Sequence, residues 1–430
     1  MQDSSQEKVM NRSLVVVGAL LIQLCLGAIY AWSVFTPYLK KAPFNFSNTQ
    51  TQVIFSVGLA VFAVVMVLAG RWQAKAGPRK VALIGGVVLG AGYILAGLFG
   101  KNFISQVIFI GVIGGTGIGF AYVCPIAVGM KWFPDKKGLI TGLAVAGFGF
   151  GALIWVKLAG SWGHLLENMG VSNVFLIYGI IFAAAVIIGS IWMVNPPRGW
   201  KPAGWKPPEE SPDGGGGSGT TNFLPAEMLK TPQFYGIWLM FIFSAMAGLM
   251  VIGIIKLFGI DALQKSGLTA EQASAAAGTA MAVFYSIANG LGRIIWGTLS
   301  DKIGRKTSLI LMCFFQGIMM LIFFWMGGNT YLLYLGAAII GFNFGGNFSL
   351  FPAATSDFFG TENVGRNYGW VFTAYGVGGI VGPIMAGAIR DAAAGSGSGS
   401  GAWLTAFIVS GVACLVAAVI GLIIKPPRKA

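Results

Sequence analysis

Residues 289–306 read Asn289-Gly-Leu-Gly-Arg293-Ile-Ile-Trp-Gly297-Thr-Leu-Ser-Asp301-Lys302-Ile-Gly304-Arg305-Lys306. They carry one arginine inside an apolar run and end in a short basic loop with two glycines seven apart. The same loop stands earlier in the chain, as Gly70-Arg-Trp-Gln-Ala74-Lys-Ala-Gly77-Pro78-Arg79-Lys80. Each copy follows the second of six long apolar runs, so the 430-residue chain reads as two related halves.

The runs predict an all-α membrane protein. Crossing the hydrocarbon layer takes about 20 apolar residues, and twelve runs qualify: 14–37, 51–70, 80–99, 103–128, 138–160, 172–194, 232–256, 270–298, 307–327, 330–353, 367–390 and 402–424. The composition agrees, with 56% hydrophobic residues, 10% charged residues, 65 glycines and a mean hydropathy of +0.76. Charge at well under half the level of soluble domains excludes a soluble multidomain enzyme. The first run is too long for a signal peptide and has no clear cleavage site, so it reads as the first span. Cys25, Cys124, Cys313 and Cys414 are scattered through apolar runs, which excludes a disulfide framework.

A net charge of +14 suggests nucleic acid until the cations are placed. With both termini set on the cytoplasmic side, the inner segments hold twenty Lys and Arg against five in the outer loops. That asymmetry orients a multi-pass protein of the cytoplasmic (inner) membrane and engages anionic lipid. No nucleic-acid partner is expected. The Pro- and Gly-rich stretch 195–231 is expected to be a polar cytoplasmic linker between helical bundles 1–194 and 232–430. Gly395–Gly401 is a second low-complexity piece.

An ionisable group within a span is costly and marks function. Arg293 lies deep in the eighth run, one helical turn after Asn289 and on the same face. Its planar fork matches a carboxylate, and all fourteen acids fall in loops or near helix ends. An anionic substrate is the best mate for such a cation. Gly290 and Gly292 leave room for a ligand or a neighbouring helix. Lys157 and Lys256 are expected to snorkel to the outer interface. Asp261, beyond Lys256, is a lesser candidate for proton coupling. One histidine and thinly spread acids predict no metal site, and no cofactor is implied. A membrane enzyme would need a nucleophile–base pair at membrane depth, and the sequence offers none.

Gly70 and Gly77 in the first loop, and Gly297, Asp301, Gly304 and Arg305 in the second, resemble the signature G-x-x-x-D-[RK]-x-G-R-[RK] of the major facilitator superfamily. The second copy matches in full; the first has Ala74 in place of Asp. The resemblance implies two six-helix halves around a central site, the arrangement of secondary transporters. Further segments resemble the monocarboxylate-transporter family, above all its bacterial oxalate:formate antiporter-like branch. They are Gly27-Ala-Ile-Tyr30-Ala-Trp32-Ser, Lys131-Trp-Phe-Pro134-Asp135-Lys-Lys-Gly138 and Lys230-Thr-Pro-Gln-Phe234. Asn289, Arg293 and Asp301, the stretch Phe351-Pro-Ala-Ala-Thr-Ser-Asp357-Phe-Phe-Gly, and Arg366-Asn-Tyr-Gly369 complete the set.

This resemblance implies that Arg293 holds a substrate carboxylate and that Tyr122 contacts substrate. Phe148, Phe344 and Phe348 fall where the family places aromatic pocket walls, and Tyr30 and Gln52 match further pocket positions. Asn289 stands where animal carriers have a proton-linked Asp, and Val34 where they have a lysine. Tyr375 replaces the second cation of oxalate carriers. A dianion against one arginine leaves a charge uncompensated, so one cation with aromatic walls suits a small monocarboxylate, lactate or pyruvate. Proton-coupled symport by alternating access is the expected activity, with Asn289 and Arg293 nearest the coupling step. A carboxylate exchanger of oxalate:formate type and a non-transporting membrane sensor with a transporter fold are the alternatives.

Overall fold

The computed structural model describes residues 10–133, 137–197, 200–202, 222–360, 363–396, 401–425 and 427. The first six long helices are α1 (Arg12–Leu39, with a tighter 3-10 stretch at Gly27–Ala31), α2 (Asn48–Ala76), α3 (Pro78–Phe99), α4, α5 (Lys137–Ala159) and α6 (Leu165–Ser190). Helix α4 is built from Phe103–Gln106, a π-helical stretch Val107–Gly114, and Gly115–Trp132. The second six are α7 (Pro232–Lys265), α8, α9 (Arg305–Met326), α10 (Thr330–Phe359), α11 (Val364–Ser396) and α12 (Gly401–Ile423). Helix α8 joins Ala270–Thr279, a π-helical stretch Ala280–Tyr285, and Ser286–Ile303.

Among the described residues, eleven helices are long and apolar enough to cross a membrane. Helix α8 has the length but not the apolarity, because Asn289, Arg293, Asp301 and Lys302 lie along it. The polar helix of the set is therefore the one that carries Arg293.

Local chemistry sets the helix starts. Ser47 and Gln50 cap α2 reciprocally (3.1 and 2.9 Å), and Thr269 and Gln272 do the same for α8. The twin basic loops share one backbone turn: Gly77 has φ 88° and ψ 148°, Gly304 φ 88° and ψ 150°. A side chain there would be strained, so the glycines of the repeated loop serve the turn itself. Behind the second turn, Arg305 pairs with Asp301 and donates to Ser300, and its Nε lies 3.6 Å from Asp357.

Several expectations on boundaries are corrected. Helix α6 starts at Leu165, bends at Gly170 (φ 74°) and stops at Ser190 rather than 194. Helix α7 continues to Lys265 instead of ending near 256. The continuation removes Lys256 from the interface. It is 8% exposed and donates to the Ser274 carbonyl (2.8 Å), so it does not snorkel. Helix α11 likewise runs on to Ser396, into the Gly/Ser-rich piece, whose residues 397–400 lie outside the described residues. Residues 134–136, within one quoted segment, and most of the linker lie outside them too. The end of the linker is docked: Phe223 donates to the Phe359 carbonyl (2.9 Å), and Asn367 donates to the Phe223 carbonyl (3.0 Å).

The first and last six helices meet along α2 and α11, α5 and α8, and α1 and α7. Small residues line the first seam. A Cβ on Gly376 would stand 2.8 Å from Ala63 Cβ, one on Gly379 2.8 Å from Leu59 Cβ, and one on Gly387 3.0 Å from Thr49 Cα. Hydrogen bonds joining the two sets of helices lie at the level of Arg293 and toward the face opposite the linker, the far face. There Asp391 of α11 accepts from the Asn48 and Thr49 amides at the start of α2 (3.2 and 2.8 Å), and Gln52 donates to the Gly253 carbonyl (3.3 Å).

Candidate functional site

Arg293 is fully buried. Nε donates to Asn289 Oδ1 (3.2 Å), the residue one turn before it, and Nη1 donates across the seam to the Val145 carbonyl of α5 (2.9 Å). Nη2 has no partner. A buried donor left unpaired costs about 1–3 kcal/mol, more when it is charged. It is a strong demand for an acceptor.

Glycines bring the flanking backbones against this turn. A Cβ on Gly292 would collide with the Phe342 carbonyl of α10, and one on Gly290 with the Phe150 ring of α5. The room left by these two glycines is thus filled by neighbouring helices. On the other flank, Gly345 lies against the Asn289 carbonyl and Gly149 against its side chain.

Aromatic rings close around the cation. The guanidinium carbon lies 3.9 Å from the Phe348 ring centre and 5.5 Å from that of Phe148, distances at which a ring face attracts a cation. Tyr30 meets Phe148 edge-on (4.9 Å) and approaches Phe344 (5.8 Å). Tyr122 packs on Phe148 (5.4 Å), Phe344 on Phe348 (5.4 Å), and Phe348 on Tyr375 (5.6 Å). Tyr30 and Tyr122 both sit within electrostatic reach of Arg293. The Tyr30 and Tyr375 hydroxyls are 3.0 Å apart, a bond between α1 and α11 that spans the two sets of helices.

Of the residues expected from sequence, Arg293, Asn289, Tyr30, Tyr122, Phe148, Phe344, Phe348 and Tyr375 therefore converge on one point. Gln52 is placed nearer the far face, donating to Thr51 and Gly253. Asp261 is placed away from Arg293, held by Arg390 Nη2 (2.8 Å) and Trp403 Nε1 (3.0 Å). Two rings were missed. Phe62 packs on Tyr122 (5.0 Å) and Tyr375 (5.7 Å), and Phe372 stacks on Tyr375 (4.9 Å). Phe62 sits in a plain apolar run with nothing to mark it. Phe372 was detectable, because it lies three residues before Tyr375 and so on the same helical face.

One acceptor-seeking cation walled by rings can hold a small carboxylate by its charged end and an apolar substituent by its other end. Known proteins resemble the chain over most of its length. The family model for the Major Facilitator Superfamily matches residues 20–283 and 264–430. The chain is 30% identical to the uncharacterized MFS-type transporter YhjX of Escherichia coli (strain K12), over 86% of each chain. It is 27% identical to the oxalate:formate antiporter of Oxalobacter formigenes, over 96% of this chain and 91% of that one. It is 24% identical to apicoplast pyruvate carrier 1 of Toxoplasma gondii, over 84% and 80%. In fold it matches a bacterial homolog of the human lysosomal transporter Spinster (TM-score 0.66, 15% identity, 96% of each chain). With helices and matches in agreement, the chain belongs to the Major Facilitator Superfamily, as a multi-pass membrane transporter.

Proposed function

We propose that the protein carries a small monocarboxylate, lactate or pyruvate, across the cytoplasmic membrane together with a proton. Halves 1–194 and 232–430 alternate around the Arg293 cage, and both termini lie in the cytoplasm. The observation that carries the substrate class is the lone Arg293 Nη2 inside an aromatic cage. A carboxylate docked there accepts from Nη2 and from the Tyr30 and Tyr375 hydroxyls, replacing the bond they make to each other. Tyr375 supplies no second charge, which supports one carboxylate rather than two. The excess of Lys and Arg on one side supports the orientation.

Coupling follows from charge. Among the described residues no acid pairs with Arg293, so the substrate anion neutralises Arg293 on loading and is itself the group proposed to carry the coupled charge. The same lack of an acid favours a second reading, obligatory exchange, because an empty site keeps its charge when it reorients. Uptake of labelled L-lactate into proteoliposomes, with and without an inward proton gradient, separates the two. Gradient-driven uptake that vanishes in Arg293→Ala supports symport. Equal rates with and without the gradient overturn the coupling, and uptake only against internal carboxylate establishes exchange.

A further inference from the structure

Two lysines within the helices, Lys157 and Lys256, lie outside the Arg293 cage, toward the far face. Lys157 of α5 donates to Thr279 Oγ1 (3.1 Å) across the seam and to Ser161 Oγ (3.3 Å). Lys256 of α7 is buried and donates to the Ser274 carbonyl, and its Nζ lies 3.1 Å from where a Cβ on Gly278 would stand. The two ammonium groups therefore bear on adjacent residues of one helix, Gly278 and Thr279. They come from opposite sets of helices and lie within electrostatic reach of each other. Among the described residues, the acid within electrostatic reach of Lys256 is Glu167, which is mostly exposed and paired with His164 Nδ1 (3.0 Å).

Lys256 is buried and Lys157 half-buried, and holding two like charges together at partial burial is costly, with neutral acceptors repaying little of it. Nothing in packing requires it, since a neutral side chain could make the Ser274 and Thr279 contacts. A mobile anion that visits the pair would compensate it. The positions fit such a visitor, because the Lys157–Thr279 contact joins the two sets of helices and has to part when the far face opens. Parting frees Lys157 and uncovers Lys256 above the first turns of α8, the helix that leads down to Arg293.

We propose that Lys157 and Lys256 form a second carboxylate station at the outer mouth, which receives the substrate anion before Arg293 does. Its ligand is a small carboxylate held by two ammonium groups, and it fills only while the far face is open. The station rests on the carboxylate reading of the Arg293 cage, and it adds a side-specific binding step that this reading does not require.

The test uses full-length protein in proteoliposomes, with L-lactate supplied from either side. Lys157→Gln and Lys256→Gln are expected to raise the half-saturating concentration about tenfold from the outer side, and to flatten its dependence on salt. From the inner side it stays unchanged, and Lys256→Arg restores most of the outer-side value. Equal weakening from both sides, or no change from the outer side, overturns the station. A binding measurement on purified protein keeps the two readings distinguishable. With Arg293→Ala as background, formate and lactate still raise the melting temperature slightly, and adding Lys256→Gln removes that rise. If Arg293→Ala alone abolishes all stabilisation, there is no second station. If wild-type protein shows stabilisation but no lactate uptake, the choice of lactate fails, and the formate arm in the Arg293→Ala background still decides the station.

Discussion

The role proposed for Arg293 comes at a cost to the fold. A buried guanidinium with one unpaired donor and no acidic mate carries a desolvation penalty that an apolar side chain of similar length avoids. Arg293→Met is expected to raise the melting temperature, by on the order of 1 kcal/mol or more in stability, while carboxylate uptake falls to background. Scanning calorimetry beside uptake checks it, and a lower melting temperature would count against the account of the orphan donor. Tyr375 is the complementary case. Tyr375→Lys adds a second cation to the cage and breaks the bond to Tyr30, so oxalate is expected to compete with labelled lactate better than pyruvate does, reversing the wild-type order. Arg293 was legible in the sequence because a charge deep in an apolar run is costly and stands out. Phe62 was not, because a phenylalanine in a membrane helix looks the same whether it walls a pocket or fills a seam.

Between elements, contact depends on glycine. A Cβ on Gly27 would collide with the Phe148 carbonyl, so the tight 3-10 stretch of α1 can lie against α5 only without a side chain. Gly27→Val is expected to push α5 away, displace Phe148 from Arg293, and cost about 1–3 kcal/mol. Thermal unfolding with uptake measures both effects, and an unshifted melting temperature would show that α1 yields instead. The helices themselves were readable from apolar length, and their starts from capping pairs such as Ser47 and Gln50. Their far ends were not. Helices α7 and α11 run past the ends expected from sequence, because Phe258 and Leu263 are buried along the α7 extension and Lys256, Asp261 and Asp391 all find partners there. Those partners come from distant parts of the chain, so no local pattern announces them.

In the whole molecule, closure of the far face hangs on few bonds. Asp391 takes both oxygens to the first amides of α2, with side-chain bonds from Asn48 (2.6 Å) and Thr49 (2.5 Å) beside them, and negative charge at a helix start is favourable. Asp391→Ala is expected to weaken closure by about 1.5–3 kcal/mol, which is at least a tenfold shift toward the open far face. Spin labels on Lys41→Cys and Glu271→Cys, one from each set of helices, are expected to show a growing longer-distance population. An unchanged distance distribution would place the closing energy elsewhere. The repeated basic loop made the twofold plan legible, and its copies share one turn geometry at Gly77 and Gly304. The seam between α2 and α11 has a mechanical consequence of its own. Helices that interlock through large side chains must climb out of each other's grooves before they can turn. Where Gly376 and Gly379 take Ala63 and Leu59 against bare backbone the relief is low, so the proposed rocking of one half over the other meets little resistance there, as on a plain bearing. The work of each proposed stroke then falls on the rings around Phe62 and on the polar bonds at the far face.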